Sequence, residues 1–403
     1  MMQGDVVVTG IGVVTPMDNG QGVGVFWEGL CNAKNAIKPI KSFKVEGYKC
    51  KVGGENFGFE KFLKDKSLAD SDRCTKLFAL ACQQALEDSG LKIDSEVTGV
   101  AFGSILGGID SGQRYMDEVF FQGKTKNGSL LREYSLHSIP TRIAEKYSLA
   151  GPNFCVCTAC SSSADAIGLA INEIRKGRAG VMLAGGADIF SEFMFRGFSA
   201  MDALTKDGVV RPFDRNRTGL AVSEGAGVLI LEEMEHARLR NAKPYCKIIG
   251  FGSVVDAQHL VRPHKEGLGL SKAIDVAMLE AGIGYEKVDY INAHGTGTVY
   301  NDLAETKAIK LSFKENSKDV KISSIKSMIG HTMGASSVIE AICCIKVMQE
   351  SKIPPTINYK TPDPECDLNH ILNVACEAKV NISMSLSAGF GGQNSVLIFE
   401  KVV

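Results

Sequence analysis

Apolar residues fall along this chain in two rhythms: short unbroken runs that stop at glycine, and longer stretches with a period of three to four. The opening run "DVVVTGIGVVTP" is rich in β-branched residues and ends in glycines, which predicts a buried strand and turn. In "DSDRCTKLFALACQQALEDSGL", Cys74, Leu77, Phe78, Ala81 and Ala85 share one helical face, and Gly90 is the expected stop. "VTGVAFGSILGG" follows as a second apolar strand. Next come a helix from Pro140 through Tyr147, the strand "NFCVCTA", a helix from Ser161 to Arg175, and the strand "AGVMLAGGADIF".

The pattern then partly repeats. "SKAIDVAMLEAGI" places Ile274, Ala277, Met278 and Ala281 on one helical face, and its end echoes "ALEDSGL" at 85–91. One helix leads to "VTGVAFGS", the other to "VDYINAHGTG". "KISSIKSMIGHTMGASSVIEAICCIKVM" matches the strand, loop and helix order around Cys160. Alternating strands and helices predict α/β layers, here as two degenerate copies of one unit joined near residues 245–250.

Composition narrows the function classes. The 403 residues suffice for one large core or two ordinary ones. Charged residues make up 23%, the formal net charge is -1, and no block of one sign occurs, so neither nucleic acid nor an anionic membrane is indicated as partner. The N-terminus lacks a basic segment followed by a long apolar one, and no apolar run approaches the length of a membrane span. The 12 cysteines are therefore expected to be reduced thiols in the cytoplasm.

Three of them crowd into "FCVCTACSSSADAIG". Structural zinc sites pair two C-x2-4-C knuckles, and no second knuckle follows here. Cys157-Thr-Ala-Cys160 has redox spacing but lacks the small-domain context of thioredoxin-like proteins. On a strand, Cys155 and Cys157 face the same way and read as small buried hydrophobes. Cys160 falls after the strand, at the mouth of a helix, where free N–H groups and the helix dipole favour thiolate. Two of the seven histidines, His294 and His331, lie in glycine-rich loops after apolar strands, with Lys326 five residues before the second. Loops at the carboxyl ends of parallel strands converge, so one crevice can hold Cys160 and both histidines.

These motifs resemble those of the β-ketoacyl–acyl carrier protein synthases, condensing enzymes of the thiolase fold. "TACSSS" is similar to the nucleophile motif, and "AHGTGT" with Asp302 and Glu305, and "IKSMIGHTMGA", to the two histidine motifs. "FDRNRTGLAVSEGAGVLILEE", "GFGGQN", "FWEGL" and "DAQHLVRPH" also fit, so the resemblance runs from Val6 to the C-terminus. It implies two βαβαβαββ halves in a five-layered α-β-α-β-α arrangement, with boundaries at 1–246 and 247–403. It further implies an acyltransferase in which Cys160 carries the acyl chain while His294 and His331 stabilise the enolate from malonyl-carrier decarboxylation. The N–H groups of Cys160 and Phe390 would form the oxyanion hole. Lys326, flanked by Glu305, would hold His331, with Asp302 behind; Thr296 and Thr298 would bind the phosphopantetheine arm. Leu106 and Ala388 would border the acyl site. No metal or resident cofactor is implied. The implied partners are acyl carrier protein and a second subunit, in a homodimer or a heterodimer with a related ketosynthase or chain-length factor. The "FCVC" strand would lie near the two-fold axis.

Several other residues have structural readings. His259 and His264 read as structural, Glu224 as a buried structural carboxylate, and Lys64, Lys66, Arg73 and Lys76 as attractors of an acidic carrier. Val299-Tyr300 replaces the family's usual Pro-Leu, Ala388 a frequent phenylalanine, and Gln393 a common threonine. With "TACSSS", these differences tilt the expected pathway from fatty acids toward polyketides. A thiolase would need a second cysteine that "SAGFGGQNS" does not offer; a non-elongating partner or decarboxylase would typically lack the nucleophile that is present here.

Overall fold

A computed structural model of the chain describes residues 4–123 and 128–402. Its first unit runs β1 (Val6–Val14), α1 (Arg73–Ser89), β2 (Thr98–Gly103), α2 (Ser138–Tyr147), β3 (Asn153–Val156), α3 (Ser162–Arg175), β4 (Val181–Asp188) and β5 (Gly225–Glu233). The second runs β6 (Cys246–Val255), α4 (Leu268–Ala281), β7 (Tyr290–Asn292), α5 (Val299–Phe313), β8 (Lys321–Ser323), α6 (Ser336–Glu350), β9 (Ile382–Gly389) and β10 (Gln393–Lys401). With the short helices of the connections (Val23–Cys31, Ile109–Met116, Glu192–Ala200, Met234–Leu239 and Lys326–Ile329) and the two-residue strands left aside, both spell βαβαβαββ, as the resemblance implied.

Pairing repeats as well. The first unit orders its strands β3-β2-β4-β5-β1 and the second β8-β7-β9-β10-β6. In each, the first three strands of that order are parallel and the remaining pairings antiparallel. Among the described residues, the two sheets join edge to edge only through Val6–Val8 of β1, paired antiparallel with Cys246–Ile248 of β6.

Glycines repeat in the same place. A Cβ on Gly10 or Gly12 of β1 would collide with the carbonyls of Ala85 and Ala81 in α1. One on Gly250 or Gly252 of β6 would collide with those of Ala277 and Ala273 in α4. Each G-x-G thus lets an outer helix lie flush on the first strand of its sheet. Helices α1 and α2 cover one outer face and α4 and α5 the other, while α3 and α6 pack on each other and on both sheets. That produces five layers. The central layer is apolar: Ile167, Ile171, Val338, Ile339 and Ile342 belong to one core cluster.

Strand β3 ends at Val156, sooner than the "NFCVCTA" run suggested, and pairs only with β2. Cys155 is half-buried and Cys157 exposed within this chain, not buried as expected, because β3 is the outermost strand of the sheet. Among the described residues, no helix is long and apolar enough to cross a membrane.

Candidate active site

Every serine of "TACSSS" has a bonding partner. After β3 the backbone turns through Ala159, in the left-handed region at φ 53, and Cys160 follows immediately. Ser161 Oγ donates to the Thr158 carbonyl at 2.7 Å, and Ser162 Oγ donates to the Ala159 carbonyl at 2.6 Å while accepting the Thr158 N–H at 2.9 Å. Ser163 Oγ accepts the Val338 N–H at 3.0 Å, tying α3 to α6. Ser337 of α6 closes the bridge by donating to the Cys160 carbonyl at 3.0 Å. Gly389 presses on the same turn, where a Cβ would come within 3.1 Å of the Cys160 nitrogen.

The thiol sits at the buried end of a cavity of about 460 Å³, with His294 and His331 beside it. Cys160 Sγ lies 3.1 Å from His331 Nε2, and the two imidazoles meet edge to face with ring centroids 5.3 Å apart. Both rings reach this point from loops at the carboxyl ends of parallel strands, His294 after β7 and His331 after β8.

Spacing explains the first histidine loop. Asp302 and Glu305 lie three apart on α5 and so face the same way. Glu305 accepts the N–H groups of His294 at 2.6 Å and Gly295 at 2.8 Å; Asp302 accepts those of Thr296 at 3.1 Å, Gly297 at 3.2 Å and Phe213 at 2.8 Å. Two buried carboxylates thereby hold the whole His-Gly-Thr-Gly backbone. Burial pushes the Glu305 carboxyl up to about 8 against those donors. Asp302 is raised more modestly, by burial partly offset by Arg217.

Lys326 departs from expectation. Its ammonium pairs with Glu340 of α6, and Nζ lies 3.3 Å from His294 Nδ1. It therefore supports His294 rather than His331, and Glu340 rather than Glu305 is its counter-ion. Glu340 was missed, although a lone acid inside the apolar run "SSVIEAICC" is the signal that marks it. Burial raises its carboxyl to about 7 despite Lys326.

His331 is oriented by its own turn. The Met333 N–H donates to Nδ1 at 3.0 Å, and Ser336 Oγ is 2.9 Å from the same nitrogen. A ring that accepts at Nδ1 carries its proton on Nε2. Lys326 imposes the same tautomer on His294. Burial, with Lys326 adding to it, holds both imidazoles well below the usual histidine range, so both are neutral N–H donors.

Cys160, His294 and His331 offer ligand atoms within 4.8 Å of one another, a spacing that suits a metal ion. The surroundings do not: a metal-bound imidazole normally donates its other N–H, whereas here both Nδ1 atoms face donors. For the thiol, burial pushes Cys160 up to about 12, with Lys326 and the Phe390 N–H opposing and the Asp188 and Glu340 carboxylates adding to it. The expected bias toward thiolate is therefore absent in the free protein.

The cavity is also lined by Thr296, which is buried, and by Thr298, Ala388, Phe390, Arg262 and the exposed Tyr300. The two threonine hydroxyls are 2.9 Å apart, and the Arg262 guanidinium rests 4.9 Å above the Tyr300 ring. Leu106 does not border this cavity; it packs with Ile105 and Phe390 on the neighbouring cluster of Phe190, Phe195, Phe198 and Met333. His259 Nδ1 accepts the N–H groups of Val261 and Arg262 at 3.0 and 3.1 Å, and the His264 N–H donates to Asp256, so both shape the loop. Arg73 is not free to attract a carrier, being held by Glu224 at 2.7 Å and Glu60 at 3.0 Å, and Lys64 pairs with Glu87.

Known proteins share this architecture. Residues 3–237 match the family model "Beta-ketoacyl synthase, N-terminal domain" and residues 245–360 its C-terminal counterpart. The chain is 36% identical to a 3-oxoacyl-[acyl-carrier-protein] synthase 2 of Synechocystis sp. and 37% identical to one of Staphylococcus aureus, over 98% of both chains in each case. Among solved structures, the ishigamide ketosynthase/chain length factor superposes with a TM-score of 0.94 at 32% identity, covering 100% of both chains. A type II ketosynthase in complex with its acyl-carrier protein and bound to the hexaketide superposes at 0.92 with 31% identity, again covering 100% of both.

Proposed function

The chain belongs to the β-ketoacyl synthase family, and from that premise we propose that it condenses an acyl chain held on Cys160 with a malonyl unit delivered by acyl carrier protein. The observation that carries this reading is the cluster itself: a thiol 3.1 Å from one neutral imidazole and beside a second, both presenting Nε2–H. First, the Cys160 sulfur displaces the carrier thiol from the acyl thioester, and the thiol proton leaves with the departing sulfur. Malonyl-carrier then enters and its C–CO2 bond breaks. The electron pair remains as an enolate whose oxygen accepts from His294 and His331. Finally, the enolate carbon attacks the acyl thioester, with the Phe390 and Cys160 N–H groups facing the oxygen. Cys160 departs and is reprotonated, and the carrier holds a β-ketoacyl chain longer by two carbons.

Neutral donors suit this sequence. They strengthen as negative charge develops and take no proton from the acidic malonyl substrate. Thr296 and Thr298, both in the cavity lining, would hold the phosphopantetheine arm by hydroxyl hydrogen bonds. The free edge of β3, with Phe154 and Val156 only half-buried, supports pairing with a second subunit, identical or related. The intact contact between Cys160 and His331 favours a condensing enzyme over a non-elongating homologue. The product belongs to fatty acid or polyketide synthesis.

Cys160→Ala tests the assignment. The variant is expected to lose acyl loading and condensation, read by intact-protein mass, while still releasing CO2 from malonyl-carrier. Continued chain extension by this variant would refute the mechanism.

A further inference from the structure

Asp188, the last residue of β4, touches none of the reacting groups and was not singled out by its sequence position. Its carboxylate is fully buried and ties two separate segments, the 104–106 loop and Gly334, to the end of β4. One oxygen accepts from Ser104 Oγ at 2.7 Å and the Leu106 N–H at 2.9 Å; the Ile105 N–H lies 3.0 to 3.1 Å from both oxygens. The other accepts the Gly334 N–H at 2.7 Å. That last bond matters most, because the preceding N–H, that of Met333, sets the tautomer of His331.

Met333 is left-handed at φ 53, a conformation that a bulky residue holds only when its surroundings over-determine it. Here its own N–H is taken by the His331 ring and the next by the Asp188 carboxylate. The fit leaves no slack: a Cβ on Gly334 would come within 2.6 Å of Asp188 Oδ2 and 3.0 Å of the Ser104 Cα.

We propose that Asp188 is a positioning residue for the decarboxylation step, anchoring the Met333–Gly334 turn to the 104–106 loop and so keeping His331 as an Nε2–H donor. Burial pushes the Asp188 carboxyl up to about 6, which leaves it ionised at neutral pH in front of four donor groups. Without that acceptor the turn relaxes, the Met333 N–H leaves Nδ1, and the imidazole proton is free to move to Nδ1. The ring then presents a lone pair where the enolate oxygen needs a donor. Acyl loading of Cys160 does not require that donor. This inference rests on the proposed roles of His331 and Cys160.

Asp188→Asn keeps the shape but sets an NH2 group among donors. It is expected to load Cys160 at close to the wild-type rate while malonyl-carrier decarboxylation falls about tenfold or more. Normal loading by the variant also certifies its fold. Gly334→Ala, which displaces the carboxylate without removing it, should produce the same split. Histidine-selective 15N NMR of the free enzyme should show His331 as Nε2–H in the wild type and a loss of that tautomer in both variants. Equal losses in loading and decarboxylation, no loss in either, or an unchanged His331 tautomer would each overturn the proposal. If the wild-type enzyme fails to decarboxylate malonyl-carrier, the proposed function falls instead, and the tautomer measurement still decides the role of Asp188.

Discussion

The two halves of the molecule carry the same strand order and different loops. After its third strand, the first half places Cys160; after the corresponding strand, the second places Lys326 and His331. After its second strand the first half runs through Ser104–Gly108, which has no titratable group, whereas the second half carries His294 there. Between the fourth and fifth strands the first half inserts residues 189–224, which contribute Phe198, Met201 and Lys206 to the cavity wall; the second half uses only 390–392. A duplicated scaffold thus fixes where loops end, and the loops divide the labour: one half supplies the proposed nucleophile, the other the proposed donors.

That division can be broken on one side at a time. The largest effect is expected for His294→Ala with His331→Ala. Decarboxylation should fall by roughly a hundredfold or more, the scale of losing preorganised donors, while Cys160 still accepts an acyl group. Parallel assays of CO2 release and acyl-enzyme mass read the two halves separately, and loss of loading would show that the division is false.

Next is the charge pair behind His294. Glu340→Ala leaves the Lys326 ammonium buried without its counter-ion, a loss on the order of 3–5 kcal/mol, and should lower the melting temperature sharply. The surface pair Lys64–Glu87 of the first half should cost no more than about 1 kcal/mol when removed.

Glu305 predicts a pH dependence. Its carboxyl rises from 4.5 in the open chain to about 8 when folded, so the folded state holds the proton more tightly. Its contribution is fully present below pH 4.5 and is lost as pH climbs through 8. Glu305→Gln, which cannot ionise, should flatten the decline in melting temperature between those values, and an unchanged slope would remove Glu305 as its source. The smallest effect is expected from Ala388→Phe. A ring at the cavity wall should slow loading of bulky acyl chains several-fold and spare short ones, measured as competing acyl-enzyme masses.

Much of this was legible because its signals are local. Glycine runs, a helix mouth after Cys160, and the Asp302–Glu305 spacing each fix a backbone conformation by themselves. The duplication carried a stronger mark than the echo used to infer it: "TGIGVV" at 9–14 and "IGFGSVV" at 249–255 are the two G-x-G strands on which α1 and α4 lie. What stayed hidden depends on contacts between distant segments. Lys326 has Glu305 as one acidic candidate in the histidine motifs, and only packing α6 between the sheets brings Glu340 closer. Asp188 meets residues 84 and 146 positions away, which no periodicity records. Cys160 illustrates the same limit for electrostatics: the helix mouth is local and visible, whereas the burial that overrides it comes from the whole fold.

Helix α6 is sheltered on nearly every side, with Val338, Ile342 and Met348 all fully buried in the central core cluster. During synthesis the first half leaves the ribosome before residue 336 exists, so the inner face of its sheet waits with α3 alone as cover. The central layer closes only when α6, in the last fifth of the chain, arrives, and until then the nascent first half exposes apolar surface that the finished fold buries.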